Sequence, residues 1–171
     1  YPNGSPTHPS YPAGHATTAG ACTTVLKAFF DTDVRFGRDD GFRPEIPASL
    51  VTDADDGSVP VEGVLRPNPD APERLDIVDG PSPTLEHELN KLATNMSIGR
   101  NWAGIHYRTD ATAGYRLGER VALAYLDDRL DAIGVDGTLT VPTFFGPDRY
   151  HDDLRLDDID LVEPTAPDGA S

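Results

Sequence analysis

Two stretches of this chain hold side chains that could grip a tetrahedral oxyanion. One is Gly99-Arg100-Asn101-Trp102-Ala103-Gly104-Ile105-His106-Tyr107-Arg108-Thr109-Asp110; the other, upstream, is His8-Pro9-Ser10-Tyr11-Pro12-Ala13-Gly14-His15. Arg100 carries a permanent charge and a planar fork of donors that suits an oxyanion. His106 and Asp110 are four apart, the spacing that puts two side chains on one helix face. Asp110 can then hold one imidazole nitrogen, fix the tautomer and leave the other nitrogen for an electrophile. Taken alone, an Arg, a His and an Asp on a helix are ordinarily surface residues. The upstream run changes that weighing. Pro12-Ala13-Gly14-His15 at a helix start offers backbone N–H groups without internal partners, a glycine that admits close approach, and an acid–base imidazole. An anion held there could touch Arg100, with His15 on one side and His106 on the other.

Helices must position these groups. Residues 15–30 show helical periodicity, with Ala19, Cys22, Leu26 and Phe29 on one face. Thr84 is placed to cap a second helix, with Glu86 and Glu88 in its first turn and Leu85, Leu89, Leu92 and Met96 at helical spacing. A break is expected between Gly99 and Gly104. A third helix is expected from Asp110 to Gly134, with an apolar face of Leu117, Val121, Ala124, Leu126, Leu130 and Ile133. Residues 31–83 are rich in Asp, Gly and Pro and read as a long excursion with at most short strands, able to cover a site or bind a neighbouring subunit. Residues 137–145 read as one short strand, which Pro142 demotes to an edge. The tail after Val162 reads as disordered.

Composition narrows the function classes. At 171 residues one domain is the default. Hydrophobic residues make up 37%, enough for a core that does not use the whole chain. A net charge of -15 repels nucleic acid and anionic membranes, so neither is an expected partner. Solubility explains such a charge, and so does a salt-rich habitat where ions screen the self-repulsion. Acidic pairs such as Asp152-Asp153 and Asp157-Asp158 read as solvated faces. Cys22 is the single cysteine, which excludes an internal disulfide and a cysteine-built zinc site; a buried inert thiol is expected. His87 and His151 read as surface residues, Trp102 as packing beneath the site. Nothing in the chain assigns a compartment.

Together and in this order, these runs resemble the vanadium-dependent haloperoxidases, and within them the bromoperoxidases of red algae and their bacterial relatives. The resemblance is carried by His8 to Thr17, Thr24-Val25-Leu26-Lys27-Ala28, Glu88-Leu89-Asn90-Lys91-Leu92-Ala93, Gly99-Arg100, Gly104 to Arg108 and Asp110. It covers roughly half the chain. The motifs also look like the last two of three signatures shared with type-2 phosphatidic acid phosphatases. The fold implied is all-α, a helical bundle of the haloperoxidase type with long irregular excursions and a short β segment near the C-terminus. Residues 1–171 would form the C-terminal part of a single domain, with 31–83 as the excursion and 163–171 as the tail. The chain starts at Tyr1 without a methionine and reads as the back half of a longer enzyme.

The resemblance also implies roles. The cofactor is vanadate, vanadium(V). His106 would ligate vanadium, Arg100 would hydrogen-bond the vanadate oxygens, and the Gly14 N–H would donate to another. His15 would act as acid–base on hydrogen peroxide, with His8 as the second catalytic histidine that tilts the choice toward bromide. The reaction would be oxidation of halide by hydrogen peroxide to hypohalous acid, with vanadium as a Lewis acid. Two departures stand out. Ala13 replaces the usual Ser, a loss of about 1.5–3 kcal/mol for one hydrogen bond to a charged group. The family's first signature, a Lys and an Arg-Pro upstream of the glycine-histidine element, is absent. Arg43-Pro44 does not supply it, because Phe36 stands where the Lys belongs and the pair falls downstream of His15. An N-terminal segment or second chain is therefore expected to supply Lys and Arg, and without it the chain is expected to be inactive. A homo-oligomer is expected besides. Two other readings remain: an acid phosphatase of the same superfamily using His15 and His106, and a non-catalytic relative.

Overall fold

The computed structural model describes residues 7–36, 45–54, 56–61, 63–80, 83–134, 137–146 and 159–163. His151, both acidic pairs, Arg43-Pro44 and the tail beyond Glu163 lie outside the described residues. In chain order the elements are α1 (Gly14–Phe29), β1 (Glu45–Pro47), a 3-10 turn (Ala48–Leu50), β2 (Ser58–Pro60), β3 (Val64–Pro67), β4 (Leu75–Val78), α2 (Leu85–Trp102), α3 (Arg108–Ile133), β5 (Leu139–Pro142) and β6 (Ile159–Val162). Helices dominate, as expected. The described residues form two units, one from 7–30 with those from Glu88 to Glu163, the other from those within Asp31–His87.

In the first unit, α1 and α3 pack side by side, and glycines set how close they come. A methyl group on Gly118 would overlap the carbonyl oxygen of Thr17, and one on Gly114 would lie 2.7 Å from both the Ala13 carbonyl oxygen and the Ala16 Cβ. Positions 13–17 meet 114 and positions 17–21 meet 118, so the helices run parallel and start at the same end. This close approach selects small residues for the buried faces. Helix α1 buries Ala16, Ala19, Gly20, Thr23, Thr24 and Lys27, and the hydroxyl of Thr24 is satisfied within the helix by the Gly20 carbonyl at 2.8 Å.

That choice overturns the apolar faces expected from periodicity. Cys22 is exposed rather than a buried thiol, and Phe29 is 77% exposed. In α3 the inward residues include Ala111, Gly114, Gly118 and Ala122, while Leu117, Val121 and Ile133 lie outside. In α2, Ala93 and Ser97 are buried and Leu92 and Met96 are not. Helix α2 is held to α3 through the Tyr115 hydroxyl, which donates to the Ala93 carbonyl at 3.1 Å.

Strand β5 pairs in parallel with β6, a partner that the sequence reading did not anticipate. Two buried charges fasten the end of β5 to the helices. Lys27 Nζ donates to the Pro142 carbonyl at 3.2 Å and lies 3.9 Å from the centre of the Phe144 ring. Glu119, fully buried, accepts the Phe144 N–H at 3.0 Å.

The second unit holds two antiparallel strand pairs, β1 with β2 and β3 with β4. Asn68 organises the second pair: its amide donates to Thr52 Oγ1 and Asp76 Oδ1, and its oxygen accepts the N–H groups of Asp70 and Ala71. Thr84 caps α2 as expected, accepting the His87 N–H, and the His87 ring returns the bond to the Thr84 N–H. His87 is thus half-buried and structural rather than a free surface residue.

Gly118→Ala is expected to cost about 1–3 kcal/mol by forcing α1 and α3 apart. Gly99→Ala, whose methyl would meet nothing within 4 Å, is expected to be neutral or to stabilise by about 0.4–1 kcal/mol. Thermal unfolding of the two variants checks the difference, and equal melting temperatures would contradict the packing account.

Candidate functional site

The site grows out of the turn between α2 and α3. Arg100 sits half-buried in the last turn of α2, and its carbonyl accepts the Ile105 N–H at 3.2 Å. Gly104 takes the left-handed conformation, with φ of 74°, that this reversal requires. His106 follows, then Tyr107 as the N-cap of α3. His106 therefore precedes the helix, and the reading that it shares a helix face with Asp110 is corrected: the pair forms because Asp110 folds back over the helix start.

Asp110 Oδ2 accepts the Tyr107 N–H at 3.0 Å and lies 3.5 Å from His106 Nδ1. The Thr109 hydroxyl reaches Asp110 Oδ1 at 3.3 Å, and Ser10 adds a side-chain bond from the upstream loop. Both His106 and Asp110 are buried. The Tyr107 N–H, with smaller contributions from Ser10, His106 and Thr109, holds the Asp110 carboxyl below its ordinary value, against desolvation that pushes it up. Nδ1 of His106 is buried without a hydrogen-bond partner and faces this carboxylate, which would hold a proton on Nδ1 and leave Nε2 its lone pair.

The main chain of the same residue reaches the other run. The Asp110 carbonyl accepts the Ala13 N–H at 3.0 Å, which sets the start of α1 beside the start of α3. Each parallel helix presents unpaired N–H groups and the positive end of its dipole there. Helix α3 supplies its own carboxylate, Asp110. Helix α1 has no acidic residue in its first turn and no side-chain cap. Its first residue, Gly14, is exposed, with open space where a methyl would stand, and His15 is exposed beside it. The start of α1 is thus the end of the pair that carries no acidic partner of its own.

Backbone hydrogen bonds and short turns link Arg100, His106, Asp110, Gly14 and His15. Ala13 contributes no side-chain group to this space; its methyl lies in the core with Ala16, Ala93 and Ala111. His8 lies in the exposed loop, its Nδ1 2.9 Å from the neighbouring Pro9 carbonyl. No described contact joins it to the buried pair. Trp102 is 89% exposed and does not pack beneath the site. Sequence reasoning missed Ser10 and Thr109 as partners of Asp110. A hydroxyl directly before a helix-start Asp was the available signal for Thr109. Among the described residues no three His, Cys, Asp or Glu side chains cluster as a metal cage. The groups brought to this end of the unit are a guanidinium, backbone N–H groups and two imidazoles.

A family model described as the VCPO second helical-bundle domain matches residues 1–133. The chain is 37% identical over 149 residues to the vanadium-dependent bromoperoxidase of Corallina pilulifera, covering 85% of this chain and 20% of that protein. The corresponding protein of Corallina officinalis is 37% identical over 147 residues, with the same coverage. That of Ascophyllum nodosum is 37% identical over 147 residues, covering 84% of this chain and 22% of its own length. The chain thus spans about one fifth of the length of these curated relatives.

The lowered pKa of Asp110 sets a sign for acid unfolding. Its stabilisation is fully present above the ordinary Asp value, about 4, and is lost as pH falls through the lower folded-state value. Urea unfolding of the chain and of Asp110→Asn is expected to converge as pH drops from about 6 to about 3. A constant gap across that range would contradict the assignment.

Proposed function

The chain belongs to the family of the VCPO second helical-bundle domain, and on that premise we propose that it is the C-terminal part of a vanadate-dependent haloperoxidase. The enzyme oxidises halide, bromide in preference, with hydrogen peroxide to hypohalous acid. The observation that carries this reading is the buried Asp110 carboxylate, which lies 3.5 Å from His106 Nδ1 while its main chain ties that turn to the uncapped start of α1.

The residues present fit vanadate. His106 would hold it through Nε2, Arg100 and the Gly14 N–H would donate to its oxygens, and Asp110 would keep the imidazole in the correct tautomer. Bound vanadate supplies Lewis acidity that polarises hydrogen peroxide without a change of oxidation state. His15, exposed in the first turn of α1, takes and returns the peroxide proton at its imidazole nitrogen. His8 serves as the second histidine, next to the halide. Charge balance demands more cations than these residues supply, so a Lys and an Arg come from an N-terminal segment or a second chain. Outward apolar side chains on all three helices, such as Phe29, Met96 and Val121, support contact with that segment and with further copies in a homo-oligomer. Among the described residues no helix is long and apolar enough to cross a membrane.

Ala13 favours a second reading, a non-catalytic relative, because position 13 offers no hydroxyl and its side chain is in the core. Bromination of a phenolic dye with vanadate, peroxide and bromide separates the readings. The 171-residue chain alone is expected to be silent, and addition of the N-terminal part of a curated relative is expected to restore turnover that His106→Ala abolishes. Phosphate-ester hydrolysis without peroxide would favour the phosphatase, and silence in both assays the non-catalytic relative.

A further inference from the structure

A second feature of the first unit is cationic, in a chain whose net charge is -15. The side of α3 next to the candidate site forms an open groove of about 650 Å³, with no acidic residue in its lining. Arg108, Thr112, Arg116 and Arg120 recur at intervals of four along it, so they share a helix face. Arg116 is held by its own packing: its guanidinium lies 5.2 Å from the centre of the Phe145 ring, and its Nε is buried without a hydrogen-bond partner. That packing orients in advance the part of the guanidinium that lines the groove. Arg108, at the first position of α3, is exposed. The opposite character comes from Tyr11 and Leu117, large side chains that line the same groove and are 64% and 43% exposed.

We propose that this groove binds an aromatic carboxylate, with its carboxylate on the guanidinium groups of Arg108 and Arg116 and its ring against Tyr11 and Leu117. Guanidinium forks match a carboxylate in charge and in spacing. The volume falls within the range of small-molecule sites. An inorganic anion would use the arginines and leave the aromatic and aliphatic wall in water; a neutral phenol would use the wall and leave the arginines unpaired. Thr109 lines the groove and also bonds Asp110, so a ligand seated there is next to the candidate site. The inference does not depend on the proposed reaction.

The test is an NMR titration of the 171-residue chain with para-hydroxybenzoate, following the amides of Thr109, Thr112 and Ala113. Saturable shifts at these positions are expected. Arg108→Gln and Arg116→Gln should each weaken binding about tenfold, the order of one lost charge-assisted contact. Tyr11→Ala should weaken binding as well, and it removes a loop side chain without touching the helix. Far-UV circular dichroism of each variant must match the parent, and Arg108→Gln, at an exposed position, carries the test if Arg116→Gln fails to fold. Absence of saturable shifts would overturn the proposal. So would equal shifts from phenol or from inorganic phosphate, or unchanged affinity in the folded arginine variants.

Discussion

The buried carboxylate of Asp110 stands where three stretches of chain meet. Its oxygens take the N–H of Tyr107, the hydroxyl of Thr109 and a bond from Ser10, with Nδ1 of His106 3.5 Å away, while its carbonyl takes the N–H of Ala13. Burying a carboxylate is unfavourable unless its lone pairs are filled. Here the donors outweigh desolvation, which is why the carboxyl is held below its ordinary value. Cap and helix placement thus share one residue, whose carboxylate also faces the His106 ring.

That arrangement requires α1 and α3 to touch closely from their first turns. Gly114 and Gly118 on one helix and Ala16 and Gly20 on the other make the contact possible. The same requirement explains why the helices turn their larger apolar side chains outward. A core built from small residues buries little area, and part of the interior is filled by Lys27 and Glu119 gathered around Phe144 and Pro142. Buried charges of this kind contribute less through net stability than through the penalty, about 3–5 kcal/mol, for removing one partner. They fix where β5 leaves the helices.

Much of this was legible in the sequence, for identifiable reasons. Helix starts were readable at Thr84 and Gly14 because caps and glycines have local causes, and the Gly134 stop was readable because its left-handed φ of 62° needs no side chain. The link between His106 and Asp110 was readable from spacing, although it arises from a helix cap and not from a shared face. The buried faces were not readable. Periodicity at Cys22, Leu26 and Phe29 marks an apolar stripe, but it cannot tell whether that stripe faces this unit or a partner. The pairing of β5 with β6 joins residues twenty apart in the chain, and no local pattern encodes such a contact. The Arg108–Arg120 face was unremarkable as text because its meaning depends on Phe145 and Tyr11, which tertiary structure brings to it.

If Asp110 sets the His106 tautomer, the free ring nitrogen is Nε2. Nitrogen NMR of the His106 ring in the chain, above the pH at which the imidazole is neutral, measures this directly. The account predicts a proton on Nδ1 and a bare Nε2, with a shift toward the Nε2-protonated form in Asp110→Ala. A proton on Nε2 in the parent chain, or a tautomer that ignores the substitution, would contradict it.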